Sequence, residues 1–166
     1  MFKKVLKRIF QVLLLAFIVI QFIRPEKNKA EGISNNDISK KYTVPDDVQV
    51  ILKTSCYDCH SNNTVYPWYA EIQPVAWWLD DHVKDGKKDL NFSEFTGYAI
   101  SRQYRKLEEV TEMTDEGEMP LDSYLWIHKN AKLDAPQKLT LDNWVTAVRA
   151  TIKANYPADS LVRKKK

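Results

Sequence analysis

Sulfur and imidazole are scarce in this chain of 166 residues, which holds two cysteines and three histidines. Both cysteines and one histidine fall within five positions, Cys56 to His60, reading CYDCH. Strand signals are absent as well: no stretch alternates apolar and polar residues convincingly, and no Asn-Gly pair marks a hairpin. No internal repeat is visible, which argues against a solenoid or propeller. There is no basic stripe either. All 22 acidic residues lie between Glu26 and Asp159, an interval with 16 Lys and Arg, so the body carries about −6 and the formal +3 of the whole chain is set by its two ends. An acidic body without a basic face argues against nucleic acid as a partner.

What the chain does have is a charged, greasy start. Lys3, Lys4, Lys7 and Arg8 precede an apolar run from Ile9 to Ile23 broken only by Gln11 and Gln21, the layout of an export signal. A cleaved signal ends in small residues, yet here Gln21, Phe22, Ile23, Arg24 and Pro25 follow, with no A-x-A pattern. Residues 1–24 are therefore expected to stay on as a signal-anchor or transmembrane segment. The basic residues would be cytoplasmic and the remainder outside. Residues 25–45, polar and without apolar periodicity, read as a linker. The folded domain is expected over 46–157, followed by a solvated basic tail over 158–166 ending in Arg163–Lys166.

Within the domain the signals are all helical. Asp46 and Asp47 precede Val48, Ile51 and Leu52 at helical spacing, and that helix leads into Cys56. Pro74 opens a second helix carrying Trp77, Trp78, Leu79, His82 and Val83, with Gly86 as its expected end. Ser93 reads as the cap of a third, with Ile100, Tyr104, Leu107 and Val110 on its apolar face. It should stop between Asp115 and Gly117. The last helix is the best marked, with Asp134 as cap, Pro136 in the first turn, Gln137 at the capping-box position, and Leu141, Trp144, Val145, Val148 and Ile152 along one side.

C-x-x-C-H is the attachment signature of c-type haem. Two thiols on one turn reach the two vinyl groups of a porphyrin, and the adjacent imidazole serves as proximal iron ligand. Three other uses of these residues are weaker. Structural zinc needs two more strong ligands at paired spacing, and only His82 and His128 remain. A thioredoxin-like redox pair belongs in a βαβ setting. A Cys56–Cys59 disulfide would close too small a loop to stabilise much.

Together with Met119-Pro120 and the C-terminal helix, residues 46–156 resemble a class I cytochrome c. More closely, the Cys56–His60 motif with the Tyr66-Pro67-Trp68-Tyr69, Leu90-Asn91-Phe92-Ser93 and Glu118-Met119-Pro120-Leu121 blocks is similar to the bacterial "haem-binding domain" family of cytochrome-like envelope proteins. The resemblance implies an all-α, cytochrome c-like domain around one covalently attached haem c, held through Cys56 and Cys59 with His60 on the iron. Met119 is the expected sixth ligand, since a soft thioether raises the reduction potential. Met113, His82 and His128 are weaker candidates. Trp68 and Tyr69, close behind His60, are expected to reach a haem propionate, and the loop between Pro67 and Pro74 to hydrogen-bond His60.

The function expected is that of a membrane-tethered monohaem cytochrome in the bacterial inner membrane. Its haem domain would lie in the periplasm, passing single electrons between redox protein partners of the envelope, without catalysis of its own. The alternatives are a haem-based peroxidase or gas or redox sensor with a labile sixth ligand, and a haem that is mainly structural.

Overall fold

The apolar residues spaced at three and four along the chain converge on one core. In the computed structural model, which describes residues 1–162, the α-helices are α1 (Phe2–Ile20), α2 (Asp46–Ser55), α3 (Tyr57–His60), α4 (Val75–Asp89), α5 (Ile100–Glu116), α6 (Asp122–Leu125) and α7 (Ala135–Asn155). Among the described residues there is no strand, and an isolated β-bridge pairs Lys29 with Asn63. The all-helical expectation holds. Arg163–Lys166, the basic end of the expected tail, lie outside the described residues.

The core joins Val48, Ile51 and Leu52 of α2, Leu107 of α5, and Leu141, Trp144, Val145, Val148 and Ile152 of α7, with Phe92 and Phe95 between them. Helix α7 starts where its sequence says it should. Asp134 accepts from the Gln137 amide at 2.8 Å while Gln137 Oε1 accepts from the Asp134 amide at 2.9 Å, completing the capping box. Trp144 is buried with its indole N–H donating to the Thr43 carbonyl at 2.9 Å, so the largest core side chain leaves no orphan donor. Gly117 closes α5 in the left-handed region at φ 80°, a conformation that costs glycine nothing.

Two helix boundaries differ from the sequence reading. Gly86 does not end α4, which runs on to Asp89. Ser93 does not cap α5. Asn91 instead caps a 3-10 turn over Phe92–Gly97, its side chain accepting from the Ser93 amide, and α5 starts at Ile100. The turn exists because Phe92 and Phe95, both almost fully buried, must each reach the core from a segment too short for an α-helix.

The segment 25–45 is not a free linker. Ile38 is fully buried and Tyr42 nearly so, and Tyr42 donates to Gln103 Oε1 of α5 at 2.7 Å. Further back, the Asn28 carbonyl accepts from the Thr64 amide and the Asn62 carbonyl from Ala30 N, both at 3.0 Å. These are backbone contacts to loops, which leave no periodic trace in sequence.

The expected membrane-crossing helix is corrected too: among the described residues no helix is long and apolar enough to cross a membrane. The uncharged stretch of α1 before Gln21 runs only from Ile9 to Ile20, about 18 Å of helix at 1.5 Å per residue, against roughly 30 Å of hydrocarbon. Its first half is instead amphipathic. At 100° per residue Lys3, Lys4, Lys7, Arg8 and Gln11 share one side, and Phe2, Val5, Leu6, Ile9 and Phe10 the other.

Leu141 is fully buried between α7 and the rest of the core, so Leu141→Ala should lower unfolding stability by about 2–5 kcal/mol. Ile33→Ala, at an exposed position, should change it by less than about 0.5 kcal/mol. Denaturant unfolding followed by helical circular dichroism measures both.

Candidate functional site

The CYDCH stretch forms a single helical turn. The Cys59 and His60 amides both donate to the Cys56 carbonyl, at 3.2 and 2.9 Å, which brings both cysteines and the histidine close together. Three of the five residues, Tyr57, Asp58 and His60, then have separate attachments. Tyr57 packs on Phe92 with ring centroids 5.6 Å apart, fixing the turn to the core. Asp58 accepts from the Val65 amide at 2.9 Å and from the Tyr124 hydroxyl at 2.7 Å. One carboxylate thus clamps the following loop and helix α6 to the motif. Burial, and the hydrogen bond donated to Asp58, push the Tyr124 phenol above its usual range.

His60 is oriented by α4. Its Nδ1 lies 3.0 Å from the Gly86 carbonyl and 2.9 Å from the Leu90 carbonyl. Both neighbours are acceptors, so Nδ1 carries the proton and Nε2 keeps its lone pair, the tautomer a metal-ligating histidine needs. The expected partners between Pro67 and Pro74 do not supply these bonds. The approach of α4 depends on Gly86: a Cβ there would lie 2.7 Å from the Cys59 carbonyl oxygen and 3.0 Å from Cys59 Cβ. Only a residue without a side chain lets α4 pass this close.

Two adjoining cavities, of about 540 and 390 Å³, open around the motif. Cys56, His60, Met119 and Pro120 line both. Cys59, His82 and Tyr124 line the first, and Leu90, Phe92, Val110, Met113 and Leu133 give the second its apolar wall. Three carboxylates one helical turn apart on α4, Asp81, Asp85 and Asp89, also border the first. Both cysteines are free thiols. Burial raises them to about 12 for Cys56 and about 11 for Cys59, so at neutral pH the free thiols are protonated, unlike the reactive thiolate of a redox pair. Among the described residues no three His, Cys, Asp or Glu side chains gather as a metal site.

A family model described as a haem-binding domain matches residues 15–147. The chain belongs to this family. No curated protein and no solved structure matches it. As a haem-binding domain the chain is a haem protein, and the residues present fit that cofactor. An apolar-walled space holds an imidazole with Nε2 free, two thiols and a thioether.

The remaining sequence-predicted residues fall apart from this group. Trp68 and Tyr69 line neither cavity with His60, but a neighbouring apolar one of about 310 Å³ that reaches Cys59. Trp68 is mostly exposed, and Tyr69 is hydrogen-bonded to His128 Nε2 at 2.8 Å. His128 stacks on Tyr124 at 4.2 Å and is likewise absent from the two His60 cavities. Met113, at half-buried depth, borders the second. Sequence reasoning missed Asp58, Gly86 and Tyr124. Their contacts span 7 to 66 positions in sequence, and no local pattern announces them.

Gly86→Ala should cost about 1–3 kcal/mol, because backbone and not a flexible side chain blocks the new methyl. Gly97→Ala, whose Cβ would meet nothing nearer than the Asn36 side chain at 3.5 Å, is the matched control and should be close to neutral. Thermal unfolding of the two variants side by side checks this.

Proposed function

We propose that this haem-binding domain carries one haem c, joined by thioether bonds to Cys56 and Cys59, and passes single electrons between redox proteins of the bacterial envelope. The observation that carries the reading is the double hydrogen bond at His60 Nδ1, which presents Nε2 beside both thiols and Met119. Bound haem supplies a one-electron Fe(III)/Fe(II) couple, and the chain's part is to ligate, orient and keep water away.

Met119 is the sixth ligand in this reading. The two carbonyls that hold Nδ1 belong to the end of α4, so α4 backs the His60 ring on the side away from Nε2. Met119 follows α5 and borders both His60 cavities. His82 stands on α4 itself, one turn before Gly86, with Nδ1 2.7 Å from the Trp78 carbonyl. It borders one His60 cavity, and that placement favours a second reading, in which His82 serves a labile sixth site for peroxide or a small gas.

Helix α1 fits a lipid-seated helix. In its first half a basic side stands opposite an apolar side, its second half is wholly apolar, and no residue of it is buried against the protein; a basic amphipathic start of this kind is the pattern of helices that lie in the membrane interface and bind anionic lipid. The proposal places the haem domain on the periplasmic face of the inner membrane, where haem is attached to such motifs.

Protein matured with haem-attachment machinery should show a c-type reduced spectrum and the mass of the chain plus one haem. Cys56→Ser with Cys59→Ser should abolish covalent retention through denaturation. Met119→Ala should lower the reduction potential, within the roughly 0.8 V that axial ligands command, and leave the ferrous protein reactive to carbon monoxide. If carbon monoxide binds the unmutated ferrous protein readily, the sensor or peroxidase reading takes its place.

A further inference from the structure

We infer that the haem domain itself rests on the lipid surface, through an exposed patch of Val65, Trp68, Trp126 and Ile127 beside the end of α1. This rests on the reading that α1 lies in the membrane, and it adds which face of the domain meets the lipid.

The first observation is that no slack separates α1 from the domain. Gln21, the residue that caps α1, and Gln73, which is only 1% exposed, bind each other reciprocally. Gln21 Nε2 donates to the Gln73 carbonyl at 3.2 Å, and the Gln73 amide donates to Gln21 Oε1 at 2.9 Å. The Ile23 carbonyl then accepts from Gln73 Nε2 at 2.9 Å and from the Trp77 indole at 3.0 Å. Arg24 and Lys27 both pair with Glu71. Six contacts from residues 21–27 fix the helix end to the start of α4 and the turn before it. A helix held in lipid by this joint brings the adjoining protein surface to headgroup depth.

The second observation is what that adjoining surface consists of. Trp68 begins the same 3-10 turn, Trp68–Glu71, whose last residue binds Arg24. The Tyr69 hydroxyl, bonded to His128, draws the end of α6 alongside it. The result is a patch in which Val65 is 78% exposed, Trp68 77%, Trp126 70% and Ile127 62%, all bordering one apolar cavity. At the joint itself, Phe22 and Ile23 are exposed apolar residues as well. Contiguous exposed apolar surface marks a binding face, and tryptophan favours the bilayer interface, where its ring is shielded and its N–H stays wet. Lipid is favoured over a protein partner because the patch is joined without a linker to a helix of basic amphipathic character.

The test uses the full-length holoprotein, labelled with fluorotryptophan and placed in nanodiscs of phosphatidylethanolamine and phosphatidylglycerol, with the iron kept ferrous. A nitroxide lipid labelled near the headgroup should broaden the fluorine resonances of Trp68 and Trp126 several-fold more than that of Trp144, which is buried in the core. A flexible Gly-Ser insertion between Ile20 and Gln21, ahead of every contact of the joint, should relieve that broadening while the protein stays on the nanodisc. If the chain binds nanodiscs but Trp68 and Trp126 broaden no more than Trp144, the inference is overturned, the membrane reading of α1 stands, and the patch belongs to a protein partner. If the chain does not bind nanodiscs at all, both fail.

Discussion

A single imidazole N–H shared between two carbonyls orders the site. His60 Nδ1 donates to the carbonyls of Gly86, in the last turn of α4, and of Leu90, just past its end; the Gly86 carbonyl also accepts from the Leu90 amide at 2.9 Å, using both of its lone pairs. The bond settles the tautomer, aims Nε2 into the cavity and joins the motif turn to α4 in one step. It requires α4 to lie against Cys59, and that contact in turn requires Gly86 to lack a side chain. Gly86 thus matters for closeness and not, as its position suggests, for ending a helix.

Around this joint the protein uses small polar clamps more than extra apolar area. Asp58 gathers Val65 and Tyr124, Gln73 gathers residues 21 and 23, and Gln103 holds Tyr42. The half-buried Asp58 and the buried Gln73 and Gln103 are each satisfied by partners outside their own helical turn. Removing one would leave the other partly buried group unpaired, which costs more than the bond itself contributes. These clamps keep the loops around the cavities closed on a domain whose apolar core lies mainly between α2, α5 and α7.

The joint at the other end of α4 gives the functional proposal its geometry. A haem protein hung on a slack tether would sample many orientations. Here the first helix is locked to the domain through Gln21 and Gln73, so seating that helix in lipid also sets the bearing of the cavity that holds His60 and Met119. The carboxylates bordering that cavity, Asp81, Asp85 and Asp89, give its rim a charge opposite to that of the basic helix.

By itself the sequence determined what is written in local pattern. The helix faces came from apolar spacing, the start of α7 from its capping box, the end of α5 from Gly117, and the candidate site from two cysteines and a histidine within one turn. These depend on neighbours three or four residues away, so the chain displays them directly. Only the tertiary structure decided the rest. It showed that residues 25–45 pack instead of swinging free, that Ser93 does not cap α5, that Trp68 and Tyr69 turn to a neighbouring cavity, and that His60 is oriented from α4. The physical reason is common to all four. Each is settled by hydrogen bonds or close approach between segments far apart in the chain, where polar side chains and bare backbone meet without any period to read.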